Sequence, residues 1–156
     1  TEEVPSFLPD RFEPGTPNIP GILGLHAALC DLEQTDMDRL HQHELELTQY
    51  FINGLMQMDP SESTLRAIGK HNTIERTSVV SVQTLQTDMA RVAYEMDDTY
   101  GIMTRVGLHC APSAHKTLGT YPEGTIRFSF GPENTHHEVD LALHALAEIT
   151  GSPYHL

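Results

Sequence analysis

The hydrophobic period changes from one stretch of this chain to the next, and no other sequence feature narrows the possible folds as far. Leu40, Leu47, Phe51 and Leu55 repeat at helical spacing between Asp36 and Met58, with Asp36 placed to cap the helix and Asp59-Pro60 to end it. Ile22, Leu25, Leu29 and Leu32 repeat in the same way, which predicts a buried helix from Ile22 to Glu33. Ser78 to Val82 is β-branched and Thr125 to Phe130 alternates, so both read as strands; Ser63 to Ile68 and Ile102 to Val106 suit shorter ones. Thr84 to Tyr100 returns to helical spacing, with Met89, Val92, Ala93 and Met96 inward and Gly101 as its stop. A last helix starts at Thr135, with Val139, Leu143, Leu146 and Ile149 on its apolar side. The order helix, helix, strand, strand, helix, strand, loop, strand, helix predicts an α+β fold: a small, mostly antiparallel sheet with helices packed on one face.

The 156 residues suit one domain and suffice for a sizeable core. Pro5, Pro9, Pro14, Pro17 and Pro20 crowd the start, and proline fixes φ and lacks an N–H. Residues 1–18 therefore read as an extended arm and residues 19–156 as the domain proper. The balance of 9 basic against 22 acidic residues, a formal charge of −13, repels phosphate backbones and anionic lipid. It predicts no nucleic-acid and no membrane partner. The longest apolar run, Ile22 to Cys30, is interrupted by His26 and falls short of the about 20 residues a span needs. No signal or transit segment opens the chain, and Thr1 in place of Met suggests a processed chain or a piece of a longer one. Two cysteines are too few for a disulfide-stapled secreted scaffold, which points to the cytoplasm.

Cys110 is the first candidate for chemistry. It follows a strand in Arg105-Val106-Gly107-Leu108-His109-Cys110-Ala111-Pro112, with Arg105, His109, His115 and Lys116 close in sequence. Thiolate is the nucleophilic form of cysteine and nearby positive charge favours it, but a small residue packed at a strand end would look the same. Cys30, between Leu29 and Asp31 on a helix, reads as packing. Of the ten histidines, His41/His43 and His136/His137 diverge on their helices, and His109, Cys110 and His115 lack the partners that would complete a zinc site, so no metal is expected. Arg127, mid-strand in Thr125-Ile126-Arg127-Phe128-Ser129-Phe130, could clamp a carboxylate through two hydrogen bonds or pair with one of the many acids. No phosphate-binding Gly-rich loop or nucleophile elbow is present.

Three segments in order resemble the C-terminal part of class V (fold type I) pyridoxal-phosphate enzymes, the cysteine desulfurase and selenocysteine lyase group. Arg11-Phe12-Glu13-Pro14-Gly15-Thr16-Pro17-Asn18, followed by Ile19-Pro20-Gly21-Ile22, is similar to the family's segment just after its cofactor-lysine region. Arg105 to Pro112 resembles its catalytic-cysteine loop. Gly119-Thr120-Tyr121-Pro122-Glu123-Gly124-Thr125-Ile126-Arg127-Phe128-Ser129 resembles its substrate-arginine strand, and Asn134-Thr135 with Glu138-Val139-Asp140 continues as its last helix does.

The resemblance implies pyridoxal phosphate as cofactor, with Cys110 as the thiolate that attacks the sulfur of substrate L-cysteine; alanine leaves and a persulfide stays for a sulfur-acceptor protein. It implies that Arg127 holds the substrate carboxylate and that Arg105 lines the site. Thr16, beside Gly15, would reach the cofactor phosphate of the neighbouring subunit in a homodimer. Sulfur transfer of this kind feeds iron–sulfur cluster assembly in the family. The sequence departs from the pattern in its lysines. Only Lys70 and Lys116 are present, and Ser113-Ala114-His115-Lys116 mimics a cofactor-lysine motif at the wrong place, after the cysteine loop. The expectation is the small domain of a larger enzyme, inactive by itself. A stand-alone interaction or dimerisation module, and a selenocysteine lyase or other class V aminotransferase, are the alternatives. The stretch from Leu108 to Gly124 is expected to be a mobile loop with an accessible Cys110, while Cys30 is expected to be protected.

Overall fold

The structure is a computed structural model that describes residues 5–13 and 15–153. Pro14, part of the lead-in segment quoted above, lies outside the described residues. The chain forms two compact units, Thr1–Asp38 and Arg39–Leu156.

In the first unit, Phe7 to Glu13 runs through successive turns, with the Arg11 amide donating to the Phe7 carbonyl and the Phe12 amide to the Pro9 carbonyl. Helix α1 (Ile19–Glu33) starts where the side chain of Asn18 accepts the Gly21 amide at 3.1 Å and Pro20 fits the first turn. The helix is present as its spacing predicts, but the expected burial is not: α1 buries none of its residues, and Leu25 is 60% exposed. Periodicity reports which face could be covered, not whether a covering surface is at hand. Cys30 is accordingly half-buried, not enclosed, with its Sγ 3.8 Å from His26 Nδ1.

The second unit holds nearly all of α2 (Met37–Met58), then β1 (Leu65–Ile68), β2 (Val79–Thr84), α3 (Met89–Tyr100), β3 (Arg105–Gly107), α4 (Pro112–Leu118), β4 (Thr125–Ser129) and α5 (His136–Thr150). The sheet order is β1-β2-β4-β3 and every pairing is antiparallel. The fold is α+β, as the pattern predicts. Val80, Val82, Ile126 and Phe128 point from one sheet face into a core shared with Phe51, Leu55, Val92, Met96, Leu143 and Leu146 from α2, α3 and α5. Phe51 packs on Phe128 and Phe130 with ring centroids 4.8 and 5.3 Å apart. Each such side chain contributes roughly 1.5–3 kcal/mol of burial. The helix ends follow local chemistry. Asp88 caps α3, Gly101 closes it in the left-handed conformation, and Thr135 with Glu138 forms a reciprocal capping box on α5.

The difference from expectation lies between β3 and β4. The predicted loop contains α4, which Pro112 opens and Gly119 closes. His115 and Thr120 are buried there, joined by a 2.6 Å bond between His115 Nδ1 and Thr120 Oγ1. The amides of Thr120 and Gly124 donate to His115 and Thr120. A seven-residue helix carries too few apolar positions to announce itself by period, and the segment is knit rather than loose.

Candidate functional site

Strand alternation separates two faces of β4. Ile126 and Phe128 enter the core, so Arg127 and Thr125 belong to the opposite face. The register then sets Arg127 between Ser81 of β2 and Arg105 of β3. Two arginines thus stand directly opposite each other, an arrangement that destabilises a sheet unless an anion comes between them. Among the described residues no ion pair or side-chain hydrogen bond holds either guanidinium, and Arg127 Nε is buried without a partner. Further along this face Arg66 Nη2 donates to Gln83 Oε1, and Gln83 Nε2 reaches the Gly124 carbonyl at 3.4 Å. Sequence spacing does not single out Arg66 or Gln83, because their place is set by cross-strand register.

The end of β3 is brought against β4 at a pair of glycines. Gly124 has φ +85°, and a Cβ there would overlap the Gly107 carbonyl. Beyond Gly107 the chain reverses. The Ala111 amide donates to the Leu108 carbonyl at 2.8 Å, and the two residues between them, His109 and Cys110, have φ +49° and +59°. Positive φ at both central positions is the pattern that Asn-Gly usually fills. For side-chain-bearing residues it costs on the order of 1 kcal/mol each. Cys110 is exposed on this turn.

His109 is tied down across the hairpin. Its Nε2 lies 3.1 Å from the Thr125 carbonyl oxygen and 3.3 Å from Thr125 Oγ1. A carbonyl only accepts, so Nε2 carries the proton. Burial holds the imidazole pKa below its ordinary value, and the charge of Arg127 adds to this; the bond to Thr125 opposes it, and His115 and Arg105 reinforce it. The neutral form of the His109 ring is therefore favoured beside the Arg127 and Arg105 guanidinium groups, with the His115 ring 5.9 Å away.

Arg105, Arg127 and Cys110 lie in the second unit around this hairpin, with His109 as the residue between them that spacing left unassigned. Thr16 and Gly15 lie in the first unit, both exposed. The Thr16 hydroxyl has no hydrogen-bond partner among the described residues. Lys70 pairs with Glu75 at 2.9 Å, and Lys116 Nζ sits 5.0 Å from the Tyr121 ring centroid. Among the described residues no group of three or more His, Cys, Asp or Glu could hold a metal ion, and no helix is long and apolar enough to cross a membrane. A cavity of about 350 Å³ opens elsewhere, between Tyr100, Met103, Phe130 and Glu138, and none of the site residues lines it.

Residues 3–142 match the family model Aminotransferase class-V. A probable cysteine desulfurase of Pyrococcus abyssi is 34% identical over 144 residues, which is 92% of this chain and 34% of that protein. One from Borreliella burgdorferi is 32% identical over 135 residues, 86% of this chain and 31% of that protein. The apo structure of the cysteine desulfurase from Thermococcus onnurineus NA1 superposes with a TM-score of 0.80 at 34% identity, covering 92% of this chain and 34% of that one. The chain thus spans about a third of the length of the relatives it matches.

Proposed function

Because the chain belongs to the class-V aminotransferase family, we propose that it forms the small domain of a cysteine desulfurase. The reading takes residues 1–18 as a lead-in arm and 19–156 as that domain. The reaction removes sulfur from L-cysteine, releases alanine and leaves a persulfide on Cys110 for a sulfur-acceptor protein. The observation that carries the reading is an exposed Cys110 on a turn beside two opposed, unpaired arginines.

Arg127 holds the substrate carboxylate through paired hydrogen bonds, and Arg105 lines the same place. The carboxylate's single negative charge offsets part of the repulsion between the two guanidinium groups. Pyridoxal phosphate, when bound, supplies the electron sink that makes the substrate C–S bond cleavable. The Cys110 thiolate forms an S–S bond to the substrate sulfur, and the C–S electron pair stays with the carbon skeleton that becomes alanine. The exposure that admits substrate also lets an acceptor thiol reach the persulfide.

The chain fits the cofactor in part. Thr16, beside Gly15, has a hydroxyl free to donate to a phosphate, in keeping with a homodimer in which it serves the neighbouring subunit. Neither lysine suits covalent attachment, one being paired with Glu75 and the other set over Tyr121. The attachment lysine therefore belongs to another part of the enzyme. A cytoplasmic setting and a role in iron–sulfur cluster assembly complete the reading.

The test uses the full-length protein loaded with pyridoxal phosphate and supplied with cysteine. Cys110→Ala is expected to abolish alanine and sulfide release, and Arg127→Ala to raise the KM for cysteine by about tenfold or more, at least the loss of one of its two charge-assisted bonds. Desulfuration that survives Cys110→Ala overturns the assignment. The engagement of both lysines favours a second reading, a non-catalytic module. A reading frame that continues upstream into a cofactor-lysine segment decides for the enzyme.

A further inference from the structure

We propose that His109 is a positioning residue: its imidazole, bonded to Thr125 on β4, holds the His109–Cys110 turn in the conformation that presents Cys110. The inference rests on the reading of Cys110 as the nucleophile.

Two consecutive residues with side chains occupy the left-handed region in this turn, where glycine is the usual choice. Such a conformation persists only when its surroundings over-determine it. The Leu108–Ala111 backbone bond closes the turn but does not choose its hand. At its other end the turn runs into α4, where the His115 amide donates to the Ala111 carbonyl; from its central residues the His109 ring crosses to a strand 16 residues on and donates to a backbone carbonyl. Thr125 itself is buried and paired with Gly107 in the ladder, so the ring is fastened to a residue held on both counts. Because the Thr125 carbonyl can only accept, the bond itself selects the tautomer with Nε2 as donor. His109 belongs to the turn that carries the sulfur, and its hydrogen bonds go to Thr125 rather than to either arginine, so its effect falls on turnover rather than on substrate binding.

Three substitutions separate anchoring from space-filling. His109→Ala removes the ring, His109→Leu keeps bulk without a donor, and His109→Gln restores an N–H. In the isolated chain, hydrogen exchange at the Ala111 amide should quicken about tenfold in the Ala and Leu variants, as one lost hydrogen bond would give, and recover in the Gln variant. In the full-length enzyme, persulfide formation on Cys110 should slow about a hundredfold in the Ala and Leu variants with the KM for cysteine within about twofold, and the Gln variant should recover most of the rate. A Leu variant that matches the native protein, or a Gln variant no better than Ala, overturns the proposal. If desulfuration survives Cys110→Ala, the functional reading falls while the exchange arm still decides the anchor. If Cys110→Ala is inactive and the exchange contrast is absent, the anchor falls alone.

Discussion

Asp59 shows how much one side chain can organise in this fold. Its carboxylate accepts the amides of Thr64 at 2.6 Å and Leu65 at 2.9 Å and the hydroxyls of Ser61 and Ser63, joining the end of α2 to the start of β1. Burial by itself would raise its pKa, but the donors from Leu65, Thr64, Ser61 and Ser63 outweigh that and hold it well below the ordinary carboxylate range. A depressed carboxylate stabilises above its unfolded pKa, near 3.9, and loses that contribution as pH falls toward its folded value. Asp59→Ala should therefore cost roughly 1–3 kcal/mol at pH 7, with the gap to the native protein closing below about pH 4. Denaturant melts at pH 7 and pH 3 check it; an equal cost at both would show that the charge is irrelevant. At this scale the sequence was partly legible. Cys110 drew notice by its place after a strand and Arg127 by its place within one, while Arg105 took its role from the family resemblance; the structure sets the two arginines opposite each other and leaves Cys110 exposed. His109 was noted only as a neighbour of the cysteine and an incomplete metal ligand; its bond was not legible, since its partner is a backbone carbonyl 16 residues away and carbonyls leave no mark in a sequence.

Among the elements, those with a strong period or a cap were readable. The β-branched run of β2, the alternation of β4 and the Thr135 cap of α5 all lie where the pattern put them. Helix α4 was missed because it is short, although Pro112 at its start and Gly119 at its end are ordinary helix punctuation. The β3–β4 pairing depends on a position that spacing cannot rank. Gly124 needs both its positive φ and its lack of a side chain, because the obstacle is the backbone of Gly107, which cannot turn aside. Gly124→Ala should cost about 2 kcal/mol or more, lowering the melting temperature by several degrees. It should also separate Arg105 from Arg127. Calorimetry and the amide exchange of Val106 would register both effects, and a melt unchanged within a degree would contradict them.

For the whole molecule, the α+β class followed from the order of periods, while the burial of α1 did not, because a helix's apolar residues say nothing about what is available to cover them. The similarity to cysteine desulfurases spans both units yet only about a third of the relatives' length, so the roles proposed for Cys110 and Arg127 concern one part of such an enzyme. The opposed arginines have a consequence for the fold as a whole. A sheet that sets two like charges face to face is under a small electrostatic load, about 0.2–1 kcal/mol for such a pair, until an anion shares it. Folding and occupancy are then coupled quantities, and the melting temperature becomes a gauge of what sits between β3 and β4. Cysteine at about a hundred times its dissociation constant would add about 2.7 kcal/mol, a rise of several degrees, with no cofactor present. Arg105→Gln should melt slightly higher than the native chain when empty and respond less to the amino acid, so that the residue that weakens the resting domain is also the one through which a bound carboxylate would stabilise it.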